Sequence, residues 1–361
     1  MKRKWFVLLI AMLLIVVPVF MGCAPEEPDP AAPEEPAEPE EPVEEPVEAI
    51  TLELADTNAP DHVLVHAGDM FAELVEERTD GEIAIERYRH GELYGPRELI
   101  EAVEMGSAAI GIQHVAFVGG HSPALEFISA FGAQGIWDGA DHYHRFLDQP
   151  RVQEIADQEF EENLNQRLLA ILDYGTSVFA SAEKPVRTIE DYEGQRARAA
   201  GTAQATMYET LGTDPVDLDI GEVYMALERG TIEAFCTGPA RVYLDGFYEV
   251  APYITQDFTA PRLSFWLTIN NDTWADLTPE QQQIMEEAAV EVTEFAREKA
   301  TEDIEHYQES LEAEAEEFVY LEDDERARIR EAVEPVMYDL IMERAGEEMG
   351  QELWDLMEEA R

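Results

Sequence analysis

The chain has 361 residues, 45% of them hydrophobic, and 24 basic against 79 acidic residues give a formal charge of −55. A field of that sign repels phosphate backbones, so nucleic-acid binding is excluded, and two cysteines make no disulfide framework. The apolar content suffices for one large or two medium domains. Acidity this strong fits a protein kept hydrated by carboxylates, in brine or simply at low pI, and charge alone does not choose.

Lys2, Arg3 and Lys4 precede an apolar run over residues 5–20 that is short for a bilayer span and reads as a signal-peptide core. It ends in Phe20-Met21-Gly22-Cys23, which is similar to a bacterial lipobox although Phe20 stands where leucine is usual. Residues 1–23 are therefore expected to be an export signal, with Cys23 lipidated and holding the protein on the outer face of the cytoplasmic membrane or in the periplasm. An uncleaved anchor, or ordinary cleavage beside a stray cysteine, is the alternative. Residues 24–48 contain eight prolines and eleven acids and have little to bury, so 24–49 reads as an extended, self-repelling tether. Without the three signal bases and the eleven tether acids, about −47 remains on residues 50–361.

From residue 50 the pattern alternates. Strands are predicted at 50–55, 83–88 and 108–113, with helices over 63–78 and from Pro96, which suits a first helical turn. This β-α-β-α-β order implies a mainly parallel sheet with helices on its faces, and ligands at the carboxyl ends of strands, near Asn58 and His114. The alternation restarts with strands at 168–173, 177–182, 195–199 and 232–237 and helices at 202–211 and 221–228, which reads as a second α/β lobe. Residues 265–269 return to strand character in the first lobe. Thr278-Pro279-Glu280-Gln281 combines a capping box with proline at the first helical position and opens a helix of roughly forty residues, about 60 Å long and able to span both lobes. Shorter helices are expected at 325–333 and 335–345.

No GxSxG, P-loop, CxxC or HExxH motif occurs, so no catalytic constellation, cofactor or metal is expected. His142 and His144 stand two apart, roughly 200° round a helix, and make poor joint ligands. Cys236, in an apolar strand, reads as an inert buried thiol.

Four stretches carry a resemblance. They are Phe71-Ala72-Glu73-Leu74-Val75-Glu76-Glu77-Arg78-Thr79-Asp80-Gly81, followed by Tyr88-Arg89-His90-Gly91-Glu92-Leu93-Tyr94-Gly95 and Glu101-Ala102-Val103-Glu104-Met105-Gly106; residues 184–198, from Lys184-Pro185 through Asp191 and Gly194 to Arg198; Glu222-Val223-Tyr224-Met225-Ala226-Leu227-Glu228-Arg229-Gly230; and Asn270-Asn271-Asp272-Thr273-Trp274-Ala275-Asp276-Leu277. In this order they resemble the extracytoplasmic solute-binding subunits of TRAP (tripartite ATP-independent periplasmic) transporters, dicarboxylate-receptor-like, over essentially all of 50–361.

The resemblance implies an α/β, two-lobed periplasmic-binding-protein-like fold with hinge strands and a lobe-spanning helix. Lobe 1 is expected at about 50–174 and 263–300, and lobe 2 at about 175–262 and 301–361. It implies no enzyme but a receptor that closes on a small organic acid and delivers it to TRAP permease subunits. A receptor for an ATP-driven importer or a sensory system, or an exported α/β hydrolase, stays open. The family's carboxylate-binding arginine falls on Arg198. Physics agrees, because in so acidic a domain a carboxylate needs a local cation, and arginine grips both its oxygens in one plane. Arg196 and Arg198 share a strand face, and Arg198 lies nearer the carboxyl end. Asn58, His114, Thr237, Trp266 and Arg262 are the further expected ligand contacts. Some sugar-acid-binding members carry another arginine near Ser177-Val178, which this chain lacks; that speaks against a nine-carbon acidic sugar.

Overall fold

The computed structural model describes residues 49–129, 135–257 and 262–361. Cys23, the export signal and nearly all of the acidic tether lie outside these residues, and residues 47–361 form one compact unit.

In chain order the first elements are β1 (Ile50–Ala55), α1 (Val63–Arg78), β2 (Ile83–Tyr88), α2 (Pro96–Glu104) and β3 (Ile110–Gln113). Then come α3 (Pro123–Ile128), α4 (Ala140–Leu147), α5 (Pro150–Leu164), β4 (Gln166–Gly175) and β5 (Ser177–Ser181). They are followed by β6 (Arg196–Ala199), α6 (Gly201–Thr210), β7 (Asp214–Asp217), α7 (Ile220–Glu228), β8 (Ala234–Thr237), α8 (Pro239–Leu244) and β9 (Tyr253–Asp257). The last are β10 (Leu263–Asn270), α9 (Asn271–Asp276), α10 (Pro279–Glu314), β11 (Glu317–Tyr320), α11 (Asp323–Ala345) and α12 (Glu347–Glu359).

Two sheets result, ordered β2-β1-β3-β10-β4 and β11-β9-β5-β8-β6-β7. In the first, β1 runs parallel to β2 and β3, and β10 lies antiparallel between β3 and β4. In the second, β6 is parallel to β7 and β8, while β5 is antiparallel to β8 and β9. The two-lobed α/β architecture expected from the sequence is present. The strand at 168–173, where the alternation restarts, forms the edge of the first sheet.

The chain crosses between sheets in few residues. Only Thr176 separates β4 from β5, and Gly175 beside it has φ +107°, a conformation that glycine adopts without a Cβ penalty. The α10 helix packs on α1 and β4 of the first lobe and on α8 and β11 of the second. Its 36 residues extend about 54 Å at 1.5 Å per residue. The Thr278 hydroxyl accepts from the Gln281 N–H at 3.3 Å, and the Gln281 side chain accepts from the Thr278 N–H at 3.0 Å, completing the capping box.

Pro335 does not divide α11, contrary to the two helices expected there. Ile329, Val333, Met337 and Ile341 recur every fourth residue as one buried stripe, and its burial offsets the backbone hydrogen bond that proline removes. The α11 and α12 helices lie against α3 and α4 as well as α6, so the last residues tie the lobes together. Arg344 of α11 pairs with the buried Glu126 of α3, whose carboxylate also accepts from the Ala203 N–H of α6.

Candidate functional site

The carboxyl ends of β1, β3, β6 and β8 meet between the two sheets, and the loops and residues there enclose a narrow cleft, with about 30 Å³ open to water-sized molecules. Thr57 follows β1, His114 follows β3, Arg198 is the penultimate residue of β6, and Thr237 ends β8. Phe117, Tyr174, Leu263 and Phe265 complete the first-lobe wall, while Ile220, Cys236 and Arg241 complete the second-lobe wall.

Arg198 is 4% exposed, and its Nε donates to the Leu218 carbonyl at 2.8 Å, which fixes the plane of the guanidinium. Among the described residues no carboxylate lies within ion-pair distance of it, whereas Arg196, two residues back, pairs with Glu233 at 2.8 Å at the far end of the strand. Burial lowers the Arg198 guanidinium to about 10, opposed by Cys236, Tyr208 and Asp219, so it stays charged at neutral pH.

Arg241 is the cleft's second guanidinium, one that sequence reasoning passed over. It is 8% exposed; its Nε donates to Asp245 at 2.9 Å and its Nη1 to the Thr57 carbonyl across the cleft at 3.1 Å. A second bridge crosses the rim, where Arg97 of α2 pairs with Asp217 at 2.5 Å and with Asp219 at 3.1 Å. Tyr174 and Thr237 join their hydroxyls at 3.1 Å.

The first-lobe wall is a run of rings. His62 stacks on Tyr174 at 4.6 Å, Tyr174 on Phe265 at 4.9 Å, and His114 meets Phe265 and Phe117 at 4.6 and 5.0 Å. Both histidines are held neutral. Burial, with Arg241 and His66 adding, brings His62 down to about 3; burial, then Arg198 and Arg241, hold His114 well below its ordinary value. A folded-state value below the unfolded 6.5 means that the unfolded chain takes up the proton first, so stability falls as pH drops below about 6.5. His62 alone should cost about 1 kcal/mol between pH 7 and 5.5. Urea midpoints of the wild type and His62→Phe at the two pH values check this: the variant should lose that part of the slope, and parallel behaviour contradicts the assignment.

The remaining sequence-selected residues divide. Asn58, beside Thr57, is fully buried and both atoms of its side-chain amide lack a hydrogen-bond partner among the described residues, but it is not part of the cleft wall. Trp266 points away from the cleft: its Nε1 donates to Ser264 at 2.9 Å and its ring packs on Phe160 at 5.1 Å. Strand alternation explains this, since Leu263 and Phe265 of β10 face the cleft and residues 264 and 266 must face the opposite side. Arg262 also stands elsewhere, donating to the Thr301 hydroxyl at 2.9 Å and 3.7 Å from Asp173, in a separate cavity beside Trp137. The His142 ring bonds to the Met357 carbonyl and His144 to Asp173, and no cluster of metal-ligating side chains occurs among the described residues.

Residues 54–344 match the family model described as bacterial extracellular solute-binding protein, family 7. The C4-dicarboxylate-binding periplasmic protein DctP of Rhodobacter capsulatus is 27% identical over 83% of this chain and 89% of its own length. Among solved structures, a TRAP periplasmic solute binding protein from Desulfovibrio salexigens with bound orotic acid superposes with a TM-score of 0.79 at 23% identity, covering 86% of this chain and 98% of the other. Another, from Sulfurospirillum deleyianum with bound succinate, gives 0.76 at 22% identity over 85% and 98%.

Proposed function

Because the chain belongs to family 7 of the bacterial extracellular solute-binding proteins, we propose that it is a receptor whose two lobes close on a small organic acid. Arg198 is the group that pairs with the carboxylate. The observation that carries this reading is a buried guanidinium in the interlobe cleft that has no carboxylate partner among the described residues, in a chain with more than three acids for every base. A ligand carboxylate supplies the missing partner and holds the lobes together through groups from both sides. Thr237 and His114 shape the pocket; Arg241 and Thr57 join it across the cleft.

Delivery goes to the membrane subunits of a TRAP permease, and the ligand leaves chemically unchanged, which makes the protein a carrier and not an enzyme. Export through residues 1–23, lipidation of Cys23 and the acidic tether would keep the receptor at the membrane surface. An extended tether of this composition reaches tens of ångströms at roughly 3 Å per residue.

Native mass spectrometry of the purified protein, before and after denaturation and refolding, tests the proposal. One small acid per chain, released intact, is the expected result. A protein that carries nothing and whose melting temperature ignores mono- and dicarboxylates alike overturns it.

A further inference from the structure

The cleft's charges are closely matched before any ligand enters. Three guanidiniums stand at or beside it, those of Arg97, Arg198 and Arg241, with three carboxylates, those of Asp217, Asp219 and Asp245. Arg97 is spent on the first two carboxylates and Arg241 on the third, leaving Arg198 as the guanidinium without an ion-pair partner among the described residues. Among the described residues no acidic side chain lines the pocket itself.

One carboxylate on Arg198 therefore completes the pairing. A second carboxylate would find only Arg241, whose charge Asp245 already offsets at 2.9 Å, or lie unpaired in a largely apolar enclosure, and an unpaired buried charge is strongly unfavourable.

The walls limit the uncharged part of the ligand. Pro96, Ile220 and Leu263 are apolar, and the hydroxyls of Tyr174 and Thr237 already hydrogen-bond to one another. A polyhydroxylated acid would lose water from each hydroxyl and regain few partners here. Tyr174, Phe265, His114 and Phe117, with His62 buried behind Tyr174, offer instead an aromatic wall to the cleft that Arg198 enters. His114 stands at 70° to Phe265 and 37° to Phe117, and the histidines carry no charge at neutral pH, so this uneven apolar surface suits edge-to-face contact with another ring.

We infer that the cleft selects a monocarboxylate bearing an aromatic ring, over dicarboxylates and sugar acids. This rests on the carboxylate-receptor reading above, with Arg198 taking the acid and the aromatic wall taking the body. Asp245 is a specificity-determining residue, because it silences the second cation without touching the ligand.

The test is calorimetric titration of the full chain, refolded to strip any bound acid. One set of probes is benzoate, 4-hydroxybenzoate, phenylacetate and nicotinate; the other is succinate, malate, gluconate and isovalerate. The tightest ring acid should bind at least 10-fold more strongly than any member of the second set. In Asp245→Asn, which releases Arg241, the ratio of ring-acid to succinate affinity should fall at least 5-fold. Tighter binding of succinate, malate, gluconate or isovalerate overturns the ring-acid assignment while leaving a carboxylate receptor. An unchanged ratio in Asp245→Asn overturns the charge argument. Silence of both sets in the wild type overturns the receptor reading as well.

Discussion

Alanine at position 198 is expected to weaken carboxylate binding by at least about 100-fold, since truncating one partner of a buried charge pair costs 2–5 kcal/mol or more. The unliganded fold should survive, because Arg198 makes one hydrogen bond to the Leu218 carbonyl and no ion pair among the described residues. Its buried charge is a burden until a ligand arrives, so Arg198→Ala should melt at or above the wild-type temperature in ligand-free buffer. Arg198→Lys keeps the charge but loses the planar two-pronged grip and the Nε contact, and should recover only part of the affinity. Calorimetric titration of the three proteins with one bound acid checks this. Retained affinity in Arg198→Ala would remove the residue from the centre of the site.

The second large effect concerns Arg87 on β2. Its side chain is 6% exposed and bonds to Asp56 and Asp69, each at 2.9 Å, and to the Leu54 and Val65 carbonyls at 3.3 Å. Gly68 makes the room, since a Cβ there would collide with the Arg87 guanidinium. Asp56 has no exposed side-chain surface, and burial pushes its carboxyl up even against the pull of Arg87. Arg87→Ala strands that carboxylate and should cost about 3–5 kcal/mol of folding stability at neutral pH. Without its cation the Asp56 value rises further above the unfolded one. Protonation then relieves the variant, and its deficit should narrow as pH falls through that raised value. Urea unfolding at pH 7 and 5 measures both effects; a deficit that widens on acidification would contradict the assignment. Asp56 immediately precedes Thr57, so this ion pair also anchors the loop that brings Thr57 to the cleft.

Much of this architecture is legible from periodicity. The first three strands, the two helices between them and the capped start of α10 follow from alternation, Pro96 and Thr278-Pro279, because each is dictated by neighbours in sequence. β7, β9 and β11 are harder to read: Asp214–Asp217 and Glu317–Tyr320 are short and half-polar, and become strands only by pairing with β6 and β9. Pro335 misleads in the other direction, since local sequence favours a break that the buried stripe of α11 overrides. At the site, the position of Arg198 near a strand's carboxyl end is readable. The choice between Phe265 and Trp266 is not, because both are large and aromatic and only the parity of β10 in its sheet decides which one reaches the cleft. Arg241 carried a usable signal: 24 bases in 361 residues make each one conspicuous, and this one stands in the short helix that begins at Pro239, directly after Thr237-Gly238.

The bridges from Arg241 to Thr57, from Arg97 to Asp217 and Asp219, and between Tyr174 and Thr237 all span the mouth of the cleft. While they hold, these contacts keep the two walls together and narrow the way out for a molecule inside. Its residence time is then set by how often these contacts part and not by the strength of its own grip alone. Capture and hand-over become separate rates: the carboxylate pair governs how much acid is held, and the rim governs how quickly it changes hands.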